Sequence, residues 1–263
     1  MAKYDIKLRP IHYASVSGGK DSLYMLNLIL NNLDKYPLDM VVHFELEIDW
    51  EWTKSVIDFM EERCKQAGLK FVRIKPRKSW DELYEVNGFP RKLGWGRWCN
   101  LKYKLDAKAQ LHDWIKSQNC RPIAYIGLCA DETKRFKYEI GSNWNEQEVC
   151  YPLAEEGITE DVILRWAKNQ PLFNDWYKYF RRQGCAICPF LTMKGQAYMY
   201  KYYPERYEKY ISLIEESDKR FGGEFYGESI EAHRHKVETK WKNILDNEEQ
   251  FTQMDIYDFM DVV

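Results

Sequence analysis

Ser17-Gly18-Gly19-Lys20-Asp21-Ser22 sets two glycines, two hydroxyls, a lysine and a carboxylate in six consecutive positions. An apolar run, Ile11 to Val16, precedes them, and Leu23, Leu26, Ile29, Leu30 and Leu33 follow with helical spacing. A strand that turns through paired glycines into a helix gathers bare backbone N–H groups and the positive end of a helix dipole at one point. Such a point binds anions, and a phosphate or pyrophosphate is the expected ligand. The ordinary nucleotide loop, G-x-x-x-x-G-K-S/T, is excluded: Ala14 stands at its first glycine and Asp21 follows the lysine.

A second constellation is Cys185-Ala186-Ile187-Cys188, held between Gly184 and Pro189. A C-x-x-C turn brings two thiolates to one metal or to one another; the alternative is two unpaired cysteines in a capping turn. A thioredoxin-like pair is disfavoured, because it would open the first helix of its own βαβ unit rather than follow a helical run. The odd total of seven cysteines argues against a disulfide framework. Residues 1–10 carry Lys3, Asp5, Lys7 and Arg9 and show no apolar signal region, and no stretch is long enough to span a bilayer. A cytoplasmic location, with no membrane partner, is the resulting expectation.

These groups need elements to hold them. Met40 to Phe44 reads as a strand, about 51–67 as a helix, Leu69 to Ile74 as a strand, about 100–117 as a helix and Ile123 to Leu128 as a strand. Gly88-Phe89-Pro90 with Gly94 and Gly96 marks an irregular connection over 86–98. The alternation predicts an α/β fold, a parallel twisted sheet with helices on both faces, and sets the glycine loop at the carboxyl ends of the strands. Beyond Pro152 helical periods dominate, with Thr159 as an expected N-cap. The predicted division is an α/β core over 1–150 and a mostly helical part over 151–263 that carries the C-x-x-C.

The 263 residues, 45% hydrophobic, can form a sizeable buried core. A formal net charge of -2 excludes a global basic field for nucleic acid. Lys194, Lys201, Arg206 and Lys209, interleaved with tyrosines, form either a local backbone-binding patch or an ordinary helix surface. His233 and His235 are read as surface residues on a late helix.

The loop resembles the S-G-G-x-D-S motif of the PP-loop ATP pyrophosphatase superfamily, whose fold is Rossmann-like. Trp98-Cys99-Asn100-Leu101-Lys102, the 127–135 block Gly-Leu-Cys-Ala-Asp-Glu-Thr-Lys-Arg, Tyr151-Pro152-Leu153 with Thr159-Glu160-Asp161-Val162, and Gly184-Cys185-x-x-Cys188 resemble segments of its phosphoadenosine phosphosulfate (PAPS) reductase branch. The resemblance covers about 11 to 190. It implies attack on the α-phosphate of an adenine nucleotide, ATP foremost, with pyrophosphate release and adenylyl or sulfur transfer. A sulfonucleotide reductase is one alternative and a non-catalytic nucleotide-binding module with structural zinc is another. The reductase's C-terminal cysteine has no counterpart after Cys188.

Carried over residue by residue, the resemblance implies phosphate contacts from Ser17, Gly18, Gly19 and Ser22, with Lys20 and Asp21 as catalytic groups. Asp21 would cap the helix or position Mg2+, and Lys20 would add positive charge or stand solvated. Glu45 would contact ribose or base, or be a plain carboxylate, and Arg135 would bind phosphate. Cys129 replaces an arginine that the branch often carries. Cys99, Cys185 and Cys188 would hold an iron–sulfur cluster (4Fe–4S) or Zn2+. Expected partners are a nucleic-acid acceptor (tRNA or DNA), a sulfur or electron donor protein, and a second copy of the chain in a homodimer.

Overall fold

The computed structural model describes residues 7–92, 96–137, 149–173 and 175–246. Part of the predicted 86–98 connection and the tail 251–263 lie outside them. The chain forms two compact units: one runs to Arg77 and resumes over Lys104–Gln183, the other takes Lys78–Tyr103 and everything from Gly184. The cuts therefore fall away from residue 150. The short helices after Pro152 join the sheet unit because they pack on its first helix.

In the first unit, strands β1 (Arg9–Val16), β2 (Met40–Phe44), β3 (Lys70–Ile74), β4 (Cys120–Tyr125) and β5 (Val149–Cys150) form one parallel sheet in the order β3-β2-β1-β4-β5. Ile11, Tyr13, Met40 and Val42 share a core with Leu111 and Ile115 of α4 (Leu105–Ser117). Strand residues of the other parity, His12, Ala14, Val16 and Val41, are buried too, so both faces are covered. Helices α1 (Lys20–Leu30) and α2 (Glu51–Gln66) bury Leu23, Leu26, Ile29, Val56, Ile57 and Met60, each side chain contributing roughly 1.5–3 kcal/mol by leaving water.

Strand order reverses between β1 and β4, and the crevice beyond the carboxyl ends at such a reversal is where open α/β sheets take ligands. β4 starts and ends three residues earlier than its apolar run suggests. Cys120 must pair with Arg9, while Gly127 leaves the sheet to approach α1. Pro122 is tolerated because, among the described residues, β5 pairs with β4 only at Ala124 and Tyr125. The predicted helix over 100–117 begins as a π-helical turn, Cys99–Lys104, before α4. The first unit ends with α5 (Pro152–Glu155), α6 (Glu160–Lys168) and α7 (Trp176–Tyr179).

The second unit contains α3 (Trp80–Asn87), α8 (Met193–Tyr202), α9 (Pro204–Phe221) and α10 (Ile230–Asp246). Ser79 and Glu82 form a reciprocal capping box at α3. Gly88 ends that helix at φ +68, and a Cβ there would stand 2.6 Å from Ser217 Oγ. Aromatics supply much of this interior: Trp80 packs on Trp98 with ring centres 4.5 Å apart, and Tyr198, Tyr207 and Tyr210 are buried. His233 is buried, not superficial as its charged helix suggested. It stacks on Tyr226, and its two ring nitrogens face Gln196 at 2.8 Å and Glu228 at 3.2 Å. Among the described residues no helix is long and apolar enough to cross a membrane.

Candidate phosphate site at the β1–α1 loop

β1 ends at Val16 and α1 begins at Lys20, so the turn has only Ser17, Gly18 and Gly19 to reverse the chain. Gly18 takes φ +76, which side-chain-bearing residues rarely adopt. The Ser22 hydroxyl closes the turn: Oγ accepts the Ser17 N–H at 3.2 Å and donates to the Gly19 carbonyl at 2.9 Å. No described side chain caps α1 at Gly19. The Lys20 N–H instead donates to the Tyr177 hydroxyl at 2.9 Å, and that hydroxyl lies 3.4 Å from Gln183 Oε1. Gln183 in turn donates to Thr53 Oγ1 at 2.7 Å, so one run of hydrogen bonds links the loop through Tyr177 of α7 to α2. Behind it, the His43 ring donates through Nδ1 to the Val16 carbonyl at 3.0 Å, and burial holds that imidazole's pKa below its usual value.

Lys20 is fully buried rather than solvated. Its ammonium donates to Asp21 Oδ1 at 2.6 Å and faces Glu160 Oε1 at 3.5 Å, because a charge withdrawn from water needs opposite charge beside it. Glu160 opens α6, where its own N–H donates to Asp131 Oδ1 at 3.0 Å. The Cys129 thiol sits 3.7 Å from Asp21 Oδ1, and burial, with the Asp21 and Glu132 charges, pushes its pKa up. Lys20 thus ties the loop to α6, and its role is structural as well as electrostatic.

The segment after β4 arrives at the same place. A Cβ on Gly127 would lie 3.0 Å from the Asp21 carbonyl oxygen, so a side chain there would press on the α1 backbone. Glu132, nearly buried, accepts the Cys129 N–H on Oε2 at 2.9 Å. Its Oε1 takes two guanidiniums, from Arg135 at 2.5 Å and Arg182 at 2.7 Å. Glu45 follows β2 at the carboxyl end of the sheet, partly exposed and 3.7 Å from Lys75 Nζ. Ser17 to Ser22, Glu45 and Arg135 therefore all lie in one unit beyond the carboxyl ends of its strands. Tyr177, Gln183 and Arg182 were not singled out from sequence. Glu132 and Glu160 stand inside the quoted motif blocks, which is the signal that could have found them.

Cys99, Cys185 and Cys188 all belong to the second unit. Cys185 is buried and the other two are partly exposed. The Cys188 carbonyl accepts the Leu191 N–H at 3.0 Å and the Tyr210 hydroxyl at 3.3 Å, fixing the C-x-x-C turn. A Cβ on Gly184 would stand 4.0 Å from Cys188 Sγ. The seven cysteines, all among the described residues, form no disulfide. Three thiols in one unit suit a soft metal by donor type. As placed they are not a ready ligand set: among the described residues no group of three or more His, Cys, Asp or Glu could hold a metal ion.

No protein-family model matches the chain. It is 28% identical over 217 residues to the uncharacterized protein MJ0973 of Methanocaldococcus jannaschii, covering 79% of this chain and 47% of that protein. Uncharacterized protein MJ0066 of the same organism is 25% identical over 217 residues, covering 81% of this chain and 43% of that one. The chain thus spans about half the length of the curated relatives it matches. Among solved structures, it is similar to the U34-tRNA thiolase NcsA from Methanococcus maripaludis with its 4Fe–4S cluster. That likeness has a TM-score of 0.41 at 14% identity, over 91% of this chain and 74% of that one.

Proposed function

We propose that the chain is a PP-loop enzyme of the PAPS reductase-like kind, which binds ATP at the β1–α1 loop and uses it for adenylyl or sulfur transfer. The observation that carries this reading is a start of α1 with no N-cap side chain at Gly19, behind a left-handed glycine at the strand-order reversal of a parallel sheet. Amides there suit phosphate oxygens, and the helix dipole adds to the attraction. In the proposed reaction an acceptor oxygen attacks the α-phosphorus. The bond from that phosphorus to the α–β bridging oxygen breaks, and pyrophosphate leaves with its electron pair. A sulfur nucleophile from a donor protein then displaces AMP, so each bond formed matches one broken. Positioning and neutralisation of phosphate charge supply most of the rate, and Mg2+ held at Asp21 would share in that neutralisation.

Cys99, Cys185 and Cys188 are the proposed ligands of a metal centre, supported by their common unit and by the fixed C-x-x-C turn. Were these three thiolates to hold an iron–sulfur cluster, it would supply an iron open to a sulfur ligand. Nucleic acid, tRNA or DNA, is the proposed acceptor class. The test is pyrophosphate release from ATP, measured with tRNA and a sulfide source present. Acceptor-dependent release is expected. Turnover of PAPS or adenylylsulfate with a thiol reductant, and none of ATP, would favour a reductase, whereas ATP binding without any release would leave only a binding module.

A further inference from the structure

Glu132 is only 8% exposed, yet its Oε1 holds Arg135 and Arg182 together. Their contacting nitrogens are therefore no more than about 5 Å apart, where two like charges repel. One carboxylate cannot neutralise both. Arg182 is fixed further by Nε facing Glu160 Oε1 at 3.4 Å, and both arginine side chains remain partly exposed, 44% for Arg135 and 38% for Arg182. Arg181 pairs chiefly with Asp161 at 2.8 Å and reaches Glu160 Oε2 only at 3.8 Å, on the oxygen that Arg182 does not face. The carboxylates that face the pair, Glu132 and Glu160, already serve Cys129 N–H and Lys20 respectively. A planar guanidinium pinned on one edge presents its other edge to a second anion.

We infer that Arg135 and Arg182 form a two-guanidinium clamp for a second phosphate group of the nucleotide held at the β1–α1 loop. The link to the loop is short: Glu132 holds the Cys129 backbone, and the Cys129 thiol lies against Asp21. The ligand class is then a nucleoside polyphosphate rather than a mononucleotide. Arg182 is the residue that makes the distinction. This inference rests on the loop being a phosphate site.

Calorimetric titration of the full chain with ATP, ADP, AMP and pyrophosphate tests it, comparing wild type with Arg182→Ala and Arg182→Lys. Arg182→Ala is expected to weaken ATP by about tenfold or more and AMP by less than about twofold, with Arg182→Lys recovering part of the loss. Equal ATP affinity in wild type and Arg182→Ala, or equal losses for ATP and AMP, would overturn the clamp. Should Arg182→Ala not fold, as judged by its melting curve, the charge-keeping Arg182→Lys carries the test, since a two-point contact requires that it too weaken ATP more than AMP. A wild type that binds none of the four ligands refutes the loop reading itself, and is thereby distinguished from failure of the clamp alone.

Discussion

Thr53 Cγ2 stands 2.7 Å from the point that a Cβ on Gly18 would occupy, and Gly18 itself holds φ +76. Two independent penalties therefore fall on Gly18→Ala: roughly 1–2 kcal/mol for the left-handed backbone, and a further cost for moving α2. Gly19 is different, since it is extended and its nearest neighbours would be at 3.6 Å. Gly18→Ala is expected to lower the melting temperature and abolish ATP binding, while Gly19→Ala keeps the fold. Thermal melts and titrations of the two variants check this.

Lys20 is sealed against Asp21 and Glu160. Lys20→Met removes the ammonium from both Asp21 and Glu160, and because Glu160 keeps Arg182 at 3.4 Å it should destabilise the chain by about 1–3 kcal/mol. Adding Glu160→Gln should restore part of that loss. Denaturant unfolding of the two single variants and the double variant measures the coupling, and additive losses would show that the pair does not interact.

How much of this was legible beforehand differs by element. The loop, β1, β2 and the parallel sheet follow from period and glycine placement, because local sequence and tertiary packing agree there. α3 was missed although Ser79 and Glu82 spell its capping box, since the nearby glycines and Pro90 dominated the reading. The burial of Lys20 and His233 was not legible, because their partners lie 140 and 37 residues away, at Glu160 and Gln196. Tyr177 gave no signal either: a hydroxyl capping a helix from 157 residues away leaves no local pattern.

His43 is buried and its pKa lies below the ordinary 6.5, chiefly through loss of water. The unfolded chain therefore binds this proton more readily than the folded one. The stability it contributes is complete above about pH 6.5 and is lost as pH falls from there towards the folded value, at up to about 1.4 kcal/mol per pH unit. His12 and His233 are shifted in the same direction, also by burial. His43→Asn should flatten the pH dependence of unfolding between pH 5 and pH 7 without removing it, as read from urea midpoints.

Anaerobic reconstitution with iron and sulfide should give a cluster absorbance that Cys99→Ser, Cys185→Ser and Cys188→Ser each diminish. Cys64→Ser is the control: it lies buried in α2, its thiol pushed up to about 12 by burial and by Glu61. Chelation should bleach the absorbance while leaving ATP affinity at the loop intact. Full absorbance in the three serine variants would contradict the ligand assignment.

The most direct measurement is backbone amide NMR of the labelled chain titrated with a non-hydrolysable ATP analogue. The account predicts that Gly18, Gly19, Lys20 and Asp21 show the largest shifts, saturating together. Saturable binding that leaves those four amides unmoved, with shifts concentrated elsewhere, would contradict it.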